Sequence, residues 1–156
     1  MGVSPACSRG IWHTVTPLPG RYAFKAGTYA VDADIKAAIK GYYEEVAKEQ
    51  TNKKGNISVA NAEKLIGNPA YQFVDVRSAA DYAKGHIEGA INVPYGKDMH
   101  KNFSKLPKNK TLILNCYSGQ TASQTMAALE IMGYEVYNLS GGMNNGWLAN
   151  GKTLVK

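Results

Sequence analysis

From Tyr71 onward the apolar positions change period again and again. "YQFVDV" reads as a strand, "SAADYAKG" as a short helix with Ser78 capping it and Asp81 in its first turn, and "GAINVP" as a second strand. "KDMHKNFSKL" is expected to be a short helix. "KTLILNC" is a continuous apolar run, the pattern of a strand buried on both faces. "TASQTMAALEIMG" then reads as a helix, "YEVYNL" as a strand and "GGMNNGWLANG" as a final helical turn. Strands alternating with helices predict βαβ crossovers, hence an α/β fold with a mostly parallel sheet covered by helices on both faces.

Upstream the pattern differs. Ile35, Ile39, Tyr42 and Val46 recur at helical spacing, which predicts an amphipathic helix opened by Asp32 or Asp34 and ended near "NKKGN". A short helix follows, capped by Ser58, with Leu65 and Ile66 on its apolar side and Gly67 closing it. Residues 1 to about 31 mix proline, glycine and aromatics without a period, an irregular arm whose tyrosines and Trp12 suggest packing. The expected division is therefore an N-terminal arm and helix over 1–56 and a domain over 57–156. There are no internal repeats and no low-complexity segment.

Composition narrows the class. With 156 residues, 44% of them hydrophobic and 19% charged, the chain has the make-up of a folded globular domain rather than a disordered one. No apolar run is long enough to span a membrane. The first residues, "MGVSPACSRGIWHTV", contain no apolar segment of a signal peptide. The expected location is cytoplasmic if this is the full chain, and exported or periplasmic if a leader has been removed. The formal net charge is +6, but the lysines are scattered, with small groupings at Lys53–Lys54 and from Lys97 to Lys110. No arginine-rich stripe interleaves with aromatics, so nucleic acid is not an expected partner. Two cysteines far apart, Cys7 and Cys116, make neither a disulfide framework nor a metal site.

Cys116 ends the buried strand, and two readings fit it: a small core hydrophobe, or a nucleophile presented at a strand terminus. Ligands of parallel α/β sheets sit beyond the carboxyl ends of the strands, beside helix N-termini. Thr121–Gln124 fits a capping box, which leaves only Tyr117, Ser118, Gly119 and Gln120 between strand and helix. With Gly119 at positive φ, so tight a loop turns successive N–H groups inward as an anion nest. A free thiol has a pKa of about 8.5, and a helix N-terminus contributes about 0.3–1 kcal/mol, at best about 2. The dipole alone barely makes the thiolate dominant, so several N–H bonds to the sulfur are needed as well.

"FVDVRSAADYAKGHIEGAINVP", "LILNCYSGQTAS" and "VYNLSGGMNNGW" occur in that order and together resemble the three signature motifs of rhodanese-like sulfurtransferases. The resemblance covers about residues 57–150 and implies a three-layer rhodanese-like fold. It also implies that Cys116 takes a sulfane sulfur from a donor, holds it as a persulfide and passes it to an acceptor such as cyanide or a thiol. The substrate-binding loop would be Cys116, Tyr117, Ser118, Gly119, Gln120 and Thr121, the six-residue length of the sulfur-transfer branch rather than the longer, arginine-bearing loop of the related phosphatases. One departure is clear. Many members carry arginine at the sixth position, where this chain has Thr121, so a fixed positive charge for thiosulfate is missing and a low-charge persulfide or polysulfide donor gains ground.

The supporting residues are expected to be Asp75, Arg77 and His86. Asp75 and Arg77 either orient the rim of the site or form an ion pair that only holds the fold, the latter favoured. His86 is read as a hydrogen-bonded core histidine ahead of a general base, and His13 and His100 as surface residues. Ser118 and Thr121 hydroxyls are candidates to touch the bound sulfur, with capping the competing role for Thr121. Gly141 and Gly142 allow tight turning, and Trp147 is core. Exchange between thiolate-like sulfurs moves few protons, so no acid–base pair, cofactor or metal is expected. Cys7 is read as incidental ahead of a resolving thiol. The expected partners are a small sulfur donor and a thiol or cyanide acceptor, with a sulfur-accepting protein as a further candidate acceptor. A sulfur-carrier or docking module with little small-molecule turnover is the competing function, ahead of a non-catalytic scaffold and a thiol reductase or phosphatase.

Overall fold

A computed structural model describes residues 32–48 and 55–156. The expectations for residues 1–31, including Cys7, Trp12 and His13, and for Lys53–Lys54 lie outside the described residues. In chain order the elements are α1 (Ala33–Lys48), β1 (Asn56–Ile57), α2 (Val59–Glu63), β2 (Tyr71–Asp75), α3 (Ala79–Lys84), β3 (Ile91–Asn92) and a 3₁₀ segment (Met99–Lys105). They continue with β4 (Thr111–Asn115), α4 (Gln120–Ile131), β5 (Val136–Leu139), a π-helical turn (Gly142–Trp147) and a last 3₁₀ turn (Leu148–Asn150). The five strands form one sheet in the order β1-β5-β4-β2-β3, and every ladder is parallel. The architecture is the three-layer α/β one: a parallel sheet with helices on both faces.

The two faces read directly from strand alternation. Val74, Leu112, Leu114 and Val136 point to the side covered by Ala122, Met126 and Leu129 of α4 and by Met99 and Leu106. Phe73, Ile113 and Leu139 point to the side covered by Val59 and Ala62 of α2 and by Ile87, Met143 and Trp147. β4 is the central strand, and Leu112, Ile113 and Leu114 are fully buried. Each such side chain contributes about 1.5–3 kcal/mol on burial, which fixes the height at which the next residues, Asn115 and Cys116, leave the sheet.

Several local expectations shift. The strand β1 escaped the pattern because two residues are too few for alternation; pairing with β5 creates it. Ser58 does cap α2, its Oγ accepting from Asn61 N–H, but the helix stops at Glu63. Leu65 and Ile66 lie in the turns that follow, still packed on the core. The segment at Met99–Lys105 is a 3₁₀ helix. On α1, Tyr42 and Val46 are half-buried, whereas Ile35 and Ile39 are exposed, so only part of the stripe is covered. The capping box at Thr121 is corrected too. The N-cap of α4 is Gly119, left-handed at φ +97°, with no side-chain cap bond, and the helix begins at Gln120. Thr121 is inside the first turn, because the glycine turns the chain two residues earlier than a threonine cap would.

Candidate active site

Cys116 is the first residue after β4, and its side chain is 2% exposed. Gly119 N–H donates to Cys116 Sγ at 3.1 Å. The Thr121 hydroxyl and the N–H groups of Ala122 and Ser118 act on the same sulfur. Burial pushes the thiol up, but the hydrogen bonds, Thr121's first, outweigh it and hold the group below its ordinary value. No charged side chain among the described residues contributes to that shift. The donors that lower the thiol pKa are neutral: one hydroxyl and three backbone N–H groups.

The loop takes this shape because its carbonyls are held from behind. Met143 N–H donates to Cys116 C=O at 2.7 Å and Asn144 N–H to Tyr117 C=O at 2.8 Å. With the carbonyls held outward, the neighbouring N–H groups are free to face the sulfur. Such close approach requires Gly142: a Cβ there would lie 2.7 Å from Cys116 O and Gly119 N and 2.8 Å from Ser118 N. The Gly-Gly pair thus does more than turn the chain. It seats the start of the π-helical turn directly against the active loop.

Of the candidate loop residues, the structure gathers Cys116, Ser118, Gly119 and Thr121 around the sulfur. Tyr117 turns away from it. Its ring is exposed, and its hydroxyl donates to Asp81 Oδ2 at 2.5 Å and lies 3.4 Å from Ser78 N–H, which bridges the loop to the start of α3. Lys84, Tyr117 and Ser78 together hold the Asp81 carboxyl well below the usual carboxylate range. Gln120 opens α4 and is exposed.

The three supporting candidates point elsewhere. Asp75, fully buried at the end of β2, accepts from Arg77 N–H at 2.9 Å, Nε at 3.0 Å and Nη2 at 2.7 Å. Arg77 Nη2 also donates to Gly85 C=O at 2.7 Å. Arg77, the one arginine among the described residues, commits Nε and Nη2 to Asp75 and Gly85, so that edge of its guanidinium is held by the protein. His86 stacks on Tyr82 at 3.9 Å, with Nδ1 3.1 Å from Tyr82 O, and its backbone bridges to Val155. His100 is exposed and Trp147 is buried, its Nε1 donating to Thr153 C=O at 2.9 Å. No cluster of metal-ligating side chains occurs among the described residues.

Sequence reasoning missed Ala122 N–H, Met143 N–H and Asn144 N–H, since a backbone donor leaves no residue-type signal. It also passed over Asn138 and Ser123, polar side chains packed beneath the loop. A buried asparagine inside an apolar strand was the available clue.

Residues 58–149 match the rhodanese-like domain family. The chain is 31% identical over 94 residues to the thiosulfate sulfurtransferase PspE of Escherichia coli, covering 60% of this chain and 90% of that protein. It is 28% identical over 92 residues to the putative sulfur carrier protein YrkF of Bacillus subtilis, covering 58% of this chain and 48% of that protein. Among solved structures, the rhodanese-related protein of Thermoplasma volcanium is similar with a TM-score of 0.59 at 24% identity, over 64% of this chain and 96% of that one. Motif order, parallel sheet, cysteine loop and family match agree: the chain belongs to the rhodanese-like domain family.

Proposed function

We propose that this protein is a sulfurtransferase that carries a sulfane sulfur on Cys116. One observation carries the reading: a buried cysteine at the end of the central strand whose sulfur is met by uncharged donors and is acidified against the effect of its own burial. A thiolate held in this way attacks the outer sulfur of a donor such as thiosulfate, a polysulfide or a persulfide. A Cys116 S–S bond forms as the donor's S–S bond breaks, and the donor's remaining part leaves with the electron pair, as sulfite or a thiolate. The terminal sulfur of the persulfide is again anionic and falls to the same N–H groups. An incoming thiolate or cyanide then attacks that sulfur and takes it away, and the Cys116 thiolate is restored. Neither step needs an external oxidant or a net proton.

The nature of the loop favours donors of low charge. Thr121 supplies a hydroxyl where a guanidinium would pair with thiosulfate, and Arg77 is occupied by Asp75 and Gly85. The same feature supports the second reading, a carrier that accepts sulfur from one protein and hands it to another; the similarity to a putative sulfur carrier adds to it.

Intact-mass measurement after incubation with polysulfide or thiosulfate tests the first reading. The chain is expected to gain one sulfur, removable by cyanide, and Cys116→Ser to gain none. Equal uptake by the mutant contradicts it. Steady-state turnover with cyanide or a small thiol separates the two readings, because a carrier loads but barely turns over.

A further inference from the structure

Beneath the active loop runs a short polar chain in an otherwise apolar layer. Asn138 of β5 is the register partner of Leu114 and shares its face of the sheet. It is only 5% exposed. Its Nδ2 donates to Asn56 Oδ1 and to Ser123 Oγ, both at 2.9 Å, while its Oδ1 has no partner. The Ser123 hydroxyl in turn donates to Gly119 C=O at 2.9 Å, beside the helical bond from Ser123 N–H to the same oxygen at 3.0 Å. Gly119 sits directly over the amide, for a Cβ built on it would lie 3.5 Å from Asn138 Nδ2. The N–H of this residue is the one that donates to Cys116 Sγ at 3.1 Å.

A leucine would fill the Asn138 position without leaving an amide oxygen unpaired. What an amide adds there is direction, because apolar contact is non-directional and a hydrogen bond is not. The chain connects β1, β5 and the first turn of α4 to one loop residue, and that residue is held at φ +97°, where small rotations swing its N–H.

We propose that Asn138 and Ser123 are positioning residues for sulfur transfer: the buried amide holds the Ser123 hydroxyl, and the hydroxyl holds Gly119 so that its N–H stays aimed at Cys116 Sγ. The inference rests on the reading that Cys116 exchanges sulfur, and it assigns a role to two side chains that do not touch the sulfur.

The test uses the full chain carrying Cys7→Ala, so that Cys116 is its only thiol. For this background and for Asn138→Leu, Ser123→Ala, Ser123→Thr and the Asn138→Leu/Ser123→Ala double variant, three quantities are measured: the pH profile of iodoacetamide alkylation, sulfur uptake from polysulfide, and melting temperature. Asn138→Leu and Ser123→Ala are expected to raise the alkylation midpoint by about half to one pH unit, with alkylation below the midpoint slowed about three- to tenfold. The double variant should shift no further than either single one, since both break one chain. Ser123→Thr keeps the hydroxyl and should keep the background midpoint. Asn138→Leu should melt no lower than the background, so lost acidity is separated from lost stability. Unchanged midpoints in folded variants overturn the proposal, as does Ser123→Thr behaving like Ser123→Ala. If Asn138→Leu fails to fold, the Ser123 pair decides by the same criteria. The function reading fails independently, if the background protein takes up no sulfur at Cys116 whatever its midpoint.

Discussion

β2 and β4 are neighbours in register, Asp75 opposite Asn115, and each leads to an acidic side chain at its carboxyl end. On β2 the group is Asp75, with a counter-ion two residues along the chain whose Nη2 also donates to Gly85 C=O. On β4 it is the Cys116 thiol, its pKa lowered by hydrogen bonds from neutral donors against the effect of its burial. The pair is built into the fold: Arg77 Nε and Nη2 are spent on Asp75 and on Gly85 C=O, so that edge of the guanidinium has no reason to engage a ligand. On the proposed reading, a Cys116 thiolate held by neutral donors would keep its charge available to an electrophile. Position at a strand end is common to both. What differs is whether the partner neutralises the charge or only solvates it.

The comparison breaks most visibly at Gly142. Gly142→Ala puts a methyl group 2.7 Å from the loop backbone, which must then move. A displacement of about 1 Å costs on the order of a hundredfold in rate, so sulfur transfer is expected to fall by that factor. Persulfide formation followed by mass should show the loss, with the Cys116 alkylation midpoint rising in parallel. On the β2 side, Arg77→Met leaves Asp75 buried without its partner and should cost about 3–5 kcal/mol of stability. Urea unfolding checks this, and the Cys116 alkylation midpoint of the folded fraction should stay where it was. An equal effect of both substitutions on thiol acidity would erase the difference between the two strand ends.

Thr121→Val removes the largest of the acidifying hydrogen bonds while keeping the shape. It should lower the thiolate fraction near neutrality by about fivefold, in line with about 1 kcal/mol for one hydrogen bond. Thr121→Arg should instead raise kcat/KM for thiosulfate about tenfold or more, from a bond to a charged group worth about 1.5–3 kcal/mol, and leave persulfide donors unaffected or worse. The smallest effect is expected from Tyr117→Phe. It releases the bond to Asp81, whose carboxyl should titrate closer to its ordinary range, while sulfur uptake changes little. NMR titration of Asp81 alongside uptake kinetics distinguishes the two.

Stability should follow pH with a definite sign. The folded-state pKa of Cys116 is lowered, so the stabilisation it contributes is fully present above the unfolded value of about 8.5 and is lost as pH falls through the folded value. Melting temperatures of wild type and Cys116→Ala, compared across that window, should diverge as pH rises.

Much of this was legible in the sequence, and the exceptions have a common cause. "KTLILNC" announced the central strand that leads directly into Cys116, and Ser78 with Asp81 announced the start of α3, because burial period and capping chemistry are local. Thr121 was misplaced as a cap since T-x-x-Q looks the same whether it opens a helix or lies in its first turn. The choice falls to Gly119, whose backbone is set by Gly142 and Asn138, far along the chain. Likewise β1 exists only through β5, and the nest only through Met143 and Asn144 N–H groups. Asp75 and Arg77 were visible as a pair, but the further bond from Arg77 goes to Gly85 C=O, which no side-chain pattern reveals.

The central claim, a thiolate held by neutral donors, is tested most directly by the pH dependence of Cys116 alkylation at low and at high salt. The measurement uses the full chain with Cys7→Ala. The expected midpoint lies below the free-thiol value of about 8.5 and does not move with ionic strength, because dipoles in a buried nest are not screened as exposed charges are. A midpoint at or above the free-thiol value would show that the loop does not hold an anion. One that climbs with salt would show that a charged group, rather than the nest, is what acidifies Cys116.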